Sequence, residues 1–318
     1  MSSTSESPDR TPQDAAVANI GNDQRKGAFI EGGTFHHQVI GYQENHGGSP
    51  PASASTQPAP AAATQQAEVL LVTVTKGETQ AILDALQAQS GRRETPRYLS
   101  GRTYYDLGQI GGARVWLVRS QMGGITPGGA FETVYSAIGT VRPNAIIMVG
   151  VAFGIGQSDK QIGDILVAKQ LMSYEPQRVG TLPDGEAVVI PRGDRVMTST
   201  RLIGYCEDGD MSWSSSQAQV HFGLVLSGEK LLDHMPAVEE LQAHEPGAIG
   251  GEMEGAGLYA AARYHKVDWV LIKAICDWAD GHKGVDKEAR QVLAAKNAAA
   301  FTLHVLARGG FAPEAWQG

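Results

Sequence analysis

The sequence predicts an α/β domain over residues 68–310, with a mainly parallel or mixed central sheet covered by helices on both faces. Two patterns predict it. Near-continuous apolar runs of strand length recur along this stretch, and segments with apolar residues at helical spacing alternate with them. Strands that are apolar on both sides must be buried on both sides, which a sheet between helix layers provides. Composition agrees: 42% of the 318 residues are hydrophobic and 39 are glycine, enough for a sizeable core with many tight turns.

Taken in order, 68–74 (EVLLVTV) reads as a buried strand and 77–87 (GETQAILDALQ) as a helix. Residues 114–120 (RVWLVRS) form a second strand, 127–141 (PGGAFETVYSAIGTV) a helix, and 144–156 (NAIIMVGVAFGIG) a third strand running into a glycine-rich loop. Residues 163–172 (GDILVAKQLM), 221–229 (HFGLVLSGE) and 269–277 (WVLIKAICD) are further strands, and 253–266 and 287–307 are helices. In sheets of this kind ligands bind at the carboxyl ends of strands.

Ahead of the domain, residues 1–16 are polar and predict disorder, and 49–67 (SPPASASTQPAPAAATQQA) predict an extended Pro/Ala/Ser linker. Residues 17–48 alternate short β-formers with Gly, Asn and Gln and are too few to bury a core. Residues 311–318 read as a C-terminal tail. The net charge of −8 argues against nonspecific nucleic-acid binding. The first residues carry no apolar signal segment, and the longest apolar stretch, 145–155, is too short to span a bilayer, so no membrane partner is expected. Cys206 and Cys276 give neither metal spacing nor a disulfide framework, and a cytoplasmic location is expected.

The candidate chemistry is carried by acids. Glu252 and Glu254 stand at the start of a small-residue helix, where carboxylates suit the helix dipole. Asp277 follows directly on an apolar strand, the expected place for a functional group. The segment 252–281, EMEGAGLYAAARYHKVDWVLIKAICDWADG, resembles the methylthioadenosine/S-adenosylhomocysteine nucleosidases of the nucleoside phosphorylase superfamily. Residues 72–83 (VTVTKGETQAIL), 120–129 (SQMGGITPGG), 148–156 (MVGVAFGIG) and 225–234 (VLSGEKLLDH) resemble further segments of that family in consistent order.

The resemblance implies a phosphorylase/nucleosidase-type three-layer sandwich that hydrolyses the N-glycosidic bond of a purine nucleoside or nucleotide. It implies that Asp277 protonates the leaving purine, that Glu78 helps position the attacking water, and that Met253 and Glu254 hold the ribose. Val151, Ala152, Phe153, Lys230, Leu231, Leu232 and Cys276 would border the base, and Gly123, Gly124 and Arg119 would form a water or phosphate loop. It also implies a homo-oligomer. An oxocarbenium-like transition state explains these residue types: an acid relieves charge on the base, and a carboxylate orients the sugar and favours positive charge on it. To act as that acid, Asp277 must hold a proton near neutral pH, and Ile275 and Trp278 flank it to exclude water. The scheme needs no metal and no cofactor.

The chain departs from the family in three places. Cys276 replaces the usual serine before the acid. Leu231 stands where an aromatic ring commonly stacks on the base, leaving Phe153 as a substitute. Met148 stands where some phosphorylases carry a phosphate-binding arginine, which leaves Arg119 for that role and favours water over phosphate. Lys230 could meet a longer or anionic substrate, and Arg192 and Arg195 are expected on a solvated loop unless they reach substrate phosphates. Phosphorolysis is the close alternative, and a catalytically silent nucleoside-binding module is the alternative of another class. The island at 17–48, centred on QVIG, resembles amyloid signalling motifs placed ahead of effector domains, which would give the protein a partner that carries a similar motif. Its pair His36–His37 has no companion cluster to make a metal site.

Overall fold

A computed structural model describes residues 66–213, 218–282, 284 and 286–316. The chain divides into Met1–Gln57 and Pro58–Gly318, and all the described residues belong to the second unit. The island at 17–48, with its His36–His37 pair, lies outside them.

The elements run β1 (Val69–Thr73), α1 (Lys76–Ser90), β2 (Thr95–Leu99), β3 (Arg102–Ile110), β4 (Ala113–Arg119), α2 (Ala130–Val141) and β5 (Ala145–Gly154). They continue with β6 (Ile165–Ser173), β7 (Gln177–Thr181), β8 (Ala187–Pro191), β9 (Arg195–Met197), α3 (Thr200–Met211), β10 (Val220–Ser227) and α4 (Met235–His244). Last come β11 (Ala248–Glu252), α5 (Gly255–His265), β12 (Asp268–Asp277), α6 (Lys287–Ala307) and a 3₁₀ turn at Pro313–Trp316.

A mixed ten-stranded sheet runs β11-β10-β6-β12-β5-β1-β4-β3-β2, with β9 added to β6. One end curls until β11 also pairs with β5, Gly250 opposite Gly154 and Gly251 opposite Phe153. Both faces are covered. Val69 and Leu71 pack with Ile82 of α1, Leu202 of α3 and Phe301 of α6. Their alternates Leu70 and Val72 pack with Val134 of α2 and Leu258 of α5. The strand alternation therefore feeds two apolar cores, and the α/β sandwich expected from the sequence is the fold. The carboxyl ends of β1, β5 and β12 are parallel neighbours, so residues just beyond them converge.

The described domain extends past both expected boundaries. Ala67, expected at the end of the linker, is fully buried and its N–H bonds to Val141 O at 2.9 Å. Residues 311–316, expected as part of a tail, are docked: Phe311 is fully buried, and the Trp316 indole N–H donates to the Phe311 carbonyl at 3.1 Å. Their aromatic side chains complete the core beside α6. Among the described residues no helix is long and apolar enough to cross a membrane.

Candidate active site

Glu78 lies in the first turn of α1, held by a capping box with Thr75. Its Oε2 accepts the N–H groups of Val74 at 2.9 Å and Thr75 at 2.7 Å, and its Oε1 accepts Val151 N–H at 2.9 Å. The helix-capping and functional readings of Glu78 therefore coexist. With two lone pairs on each oxygen, Oε2 is filled and Oε1 keeps one site for a water. The carboxylate fits because residue 150 is glycine: a Cβ there would fall 2.3 Å from Oε1.

Glu254 is the N-cap residue of α5 and is buried. Its Oε1 accepts Gly123 N–H at 3.0 Å, and its Oε2 lies 3.3 Å from Lys273 Nζ. Glu252 accepts the N–H groups of Glu254 and Gly255 at 2.9 Å and lies 3.6 Å from the same ammonium. Lys273 sits fully buried in the middle of β12. Burial disfavours its charged form, but Glu254, Glu252 and Glu78 outweigh that and hold the ammonium above the ordinary lysine range. Burial pushes the Glu252 carboxyl up; Lys273 pulls it down without cancelling the rise.

Asp277 ends β12 and is buried. Its Oδ1 accepts Ala279 N–H at 3.0 Å, and its Oδ2 accepts the Cys276 thiol at 3.1 Å. The thiol thus donates where the resemblance expects a serine hydroxyl. Ile275, fully buried, and Trp278 pack together beside Ala152, the apolar surround expected for this acid.

One cavity, about 620 Å³ including its open mouth, brings these groups together. Glu78, Glu252, Met253, Glu254, Cys276 and Asp277 line it, as do Val151, Ala152, Phe153, Lys230, Leu231 and Leu232. Met122 and Gln291 complete the wall from the glycine loop and α6. Phe153 is both lining and core, since it also packs against Leu226 and Met172. Leu231 is 62% exposed at the rim. Lys230 is also at the rim, 3.9 Å from Glu175.

Two expectations are corrected. Arg119 does not line the cavity: β4 stays paired with β1 to its end, Thr73 opposite Arg119 and Ser120 N–H donating to Thr73 O at 2.9 Å, and the arginine is left exposed at the strand end. The amides of Gly123 and Gly124 are not open to a phosphate, because they are bonded to Glu254 and Glu229. Arg192 and Arg195 do not reach the cavity either; Arg195 pairs with Glu245, and Arg192 lines a separate groove beside Arg263. Sequence reasoning missed Lys273, whose signal was a single cation inside the apolar run WVLIKAICD; it placed Glu229 only as the acid of the family-like segment 225–234, without its bonds to the glycine loop. Among the described residues no cluster of three His, Cys, Asp or Glu side chains is arranged for a metal ion.

A profile of the phosphorylase superfamily matches residues 68–307. A profile of a herpesvirus transcription activation factor (transactivator) matches residues 1–119, overlapping it over the first strands. The chain is 28% identical over 264 residues to a death domain-containing ATP nucleosidase of Amphimedon queenslandica, covering 76% of this chain and 49% of that one, so it spans about half that relative's length. It is 25% identical over 210 residues to a 5′-methylthioadenosine/S-adenosylhomocysteine nucleosidase of Haemophilus influenzae, covering 63% and 84%. Among solved structures, a nucleosidase of that name from Colwellia psychrerythraea in complex with adenine superposes with a TM-score of 0.63 at 21% identity, covering 77% of this chain and 96% of that one. A futalosine hydrolase of Helicobacter pylori gives 0.61 at 19%, covering 74% and 96%. These two likenesses are of fold.

Proposed function

The chain belongs to the phosphorylase superfamily, and from that premise we propose that it is a purine N-glycosidase that uses water. The observation that carries the reading is the convergence of Glu78, Glu254 and Asp277, from three distant segments, on one cavity. In this scheme the base lies between Phe153 and Leu231–Leu232, with Asp277 at its imidazole edge. Glu254 takes the 2′- and 3′-hydroxyls, its orientation fixed by Gly123 and Lys273. Asp277 gives its proton to the base as the C1′–N bond breaks, leaving positive charge on the sugar that the surrounding carboxylates favour. Water on Glu78 Oε1 adds to C1′ and its proton passes to Glu78. The products are free base and a sugar with a hydroxyl at C1′, and solvent resets the two acids.

The loop amides that could hold phosphate are taken, Gly123 by Glu254 and Gly124 by Glu229, and no arginine is among the described residues lining the cavity; both favour water over phosphate. The named relatives, one an ATP nucleosidase and one a methylthioadenosine/adenosylhomocysteine nucleosidase, set the panel to test: methylthioadenosine, adenosylhomocysteine, adenosine and ATP, each with and without phosphate. Base released without phosphate is the expected result. Strict dependence on phosphate would make the protein a phosphorylase, and no release from any substrate would make it a binding module.

We further propose that the enzyme is a cytoplasmic homo-oligomer and an effector. The polar residues 1–16, the QVIG-centred island and the linker precede the catalytic domain, and the Amphimedon relative is named a death domain-containing ATP nucleosidase. Protein lacking residues 1–65 should cleave small substrates as the full chain does and lose any assembly that residues 17–48 drive.

A further inference from the structure

The glycine loop between β4 and α2 directs three successive backbone N–H groups at carboxylates. Gly123 N–H donates to Glu254 Oε1 at 3.0 Å. Gly124 N–H is shared between the two oxygens of Glu229 at 3.0 and 3.1 Å, and Ile125 N–H reaches Glu229 Oε1 at 3.2 Å. Successive N–H groups converging in this way form a nest for an anion, and here side chains from two other segments fill it.

The surroundings are shaped to that filling. A Cβ on Gly124 would fall 2.6 Å from Glu229 Oε1, and one on Gly257 would fall 2.3 Å from Gly124 O. The loop is therefore wedged between Glu229 and the first turn of α5. Its carbonyls at Gly123 and Gly124 accept the N–H groups of Ala130 and Phe131 at 3.0 and 2.9 Å, which ties it to the start of α2. Met122, at its leading edge, lines the cavity. Glu229 itself stands on a stitched segment: Ser227 Oγ accepts Ala256 N–H at 2.9 Å, and Gly228 N–H donates to Glu252 O at 3.1 Å. The next three residues line the cavity. One short segment thus joins the base wall, the start of α5 and the glycine loop.

We propose that Glu229 is a positioning residue whose carboxylate serves as a built-in anion in the loop's N–H nest, fixing Met122 and Gly123 and through them Glu254. Its effect on base release rests on the nucleosidase reading above; its hold on the loop does not. Burial pushes the Glu229 carboxyl up, the Gly124 and Ile125 amides pull it down, and the charges of Glu175 and Glu254 add to the rise. Among these influences the amides alone favour its ionised form.

The test uses the full chain carrying Glu229→Ala, Glu229→Gln or Glu229→Asp, with two readouts. In Glu229→Ala, kcat/KM for base release should fall about tenfold to a hundredfold, the range for lost hydrogen bonds to a charged group. Most of the loss should be in KM, and added formate should restore part of it. Glu229→Asp should lie between, and Glu229→Gln should stay low without rescue. Hydrogen exchange of a peptide covering the glycine loop should quicken in Glu229→Ala and slow again with formate. Gly124→Ala, which pushes the carboxylate off the loop from the other side, should quicken the same exchange and lower base release if Glu229→Ala fails to fold. Unchanged loop exchange in Glu229→Ala would overturn the proposal whatever the activity, as would a loss of activity in Glu229→Ala that formate does not touch. Exchange needs no substrate, so a wild-type chain that releases no base would sink the nucleosidase reading and leave the loop result standing.

Discussion

The two ends of the cavity are built differently. At the sugar end, Glu78, Glu252 and Glu254 each accept at least one backbone N–H, and a buried ammonium lies within 3.6 Å of two of them. At the base end the wall is Val151, Ala152, Phe153, Leu231 and Leu232, with Asp277 as the one carboxylate and Leu231 62% exposed. Carboxylates held by several fixed dipoles do not reorganise during a reaction, whereas an apolar wall with an open edge constrains its occupant mainly by shape. In the proposed scheme the sugar would thus be gripped by geometry set before it arrives, and the base by contact area and a single acid.

That contrast places the largest mutational effect at the base end, where Asp277 is the one carboxylate among the described lining residues. Asp277→Asn keeps the shape and removes the transferable proton. Base release should fall on the order of a hundredfold to ten-thousandfold, as for loss of a general acid. Single-turnover measurement of free base checks it, and a near wild-type rate would erase the distinction between the two ends. At the sugar end the matching experiment is on stability. Lys273→Met leaves the buried Glu252 and Glu254 without their cation and should cost about 3–5 kcal/mol of folding stability, read by denaturant titration; a change within about 0.5 kcal/mol, the range for a surface substitution, would mean the cluster is not held by that charge.

Gly150→Ala sharpens the claim that the sugar end is preset. The new Cβ would sit 2.3 Å from Glu78 Oε1, and the carboxylate has no free swing because three amides hold it. Displacing it by about 1 Å should lower kcat on the order of a hundredfold, with the thermal transition little changed relative to Lys273→Met. Equal losses of fold and activity would mean that Gly150 serves packing rather than the site.

The legibility of the sequence follows the same division. Strands whose two faces both meet a core, such as β1 and β5, announce themselves as apolar runs, and α6 is bounded by its own periodicity at 287–307. Strand β11 did not, because Gly250 and Gly251 lie under Leu166 and Phe153, where a Cβ would fall 2.5 and 2.3 Å from those side chains; the glycines that permit the approach erase the apolar pattern. The hairpin β7–β8 and edge strand β2 are largely exposed and leave the same silence. Of the site, the acids at segment ends were readable because strand ends are where ligands bind. Glu229 was legible as the acid ending the run 221–229, but its role was not, since its partners are backbone amides more than a hundred residues away, and backbone amides look alike in any sequence. Arg119 misled for the opposite reason: it sits at a strand end, but its side chain points to solvent.

The smallest effect should come from the rim of the base end. Leu231 lines the cavity but remains 62% exposed, so only part of its side chain can leave water when a base binds. Covering the remaining apolar area, at about 25 cal/mol per Å², limits what Leu231→Ala can remove to roughly a kcal/mol. KM should rise by no more than about fivefold, with kcat unchanged, because the contact exists equally in the ground and transition states. Phe153→Ala at the closed edge should cost more, since that ring is 8% exposed and also packs in the core. If Leu231→Ala instead lowers kcat as Asp277→Asn does, the rim takes part in orienting the base against the acid, and the open edge would then be as preset as the sugar end.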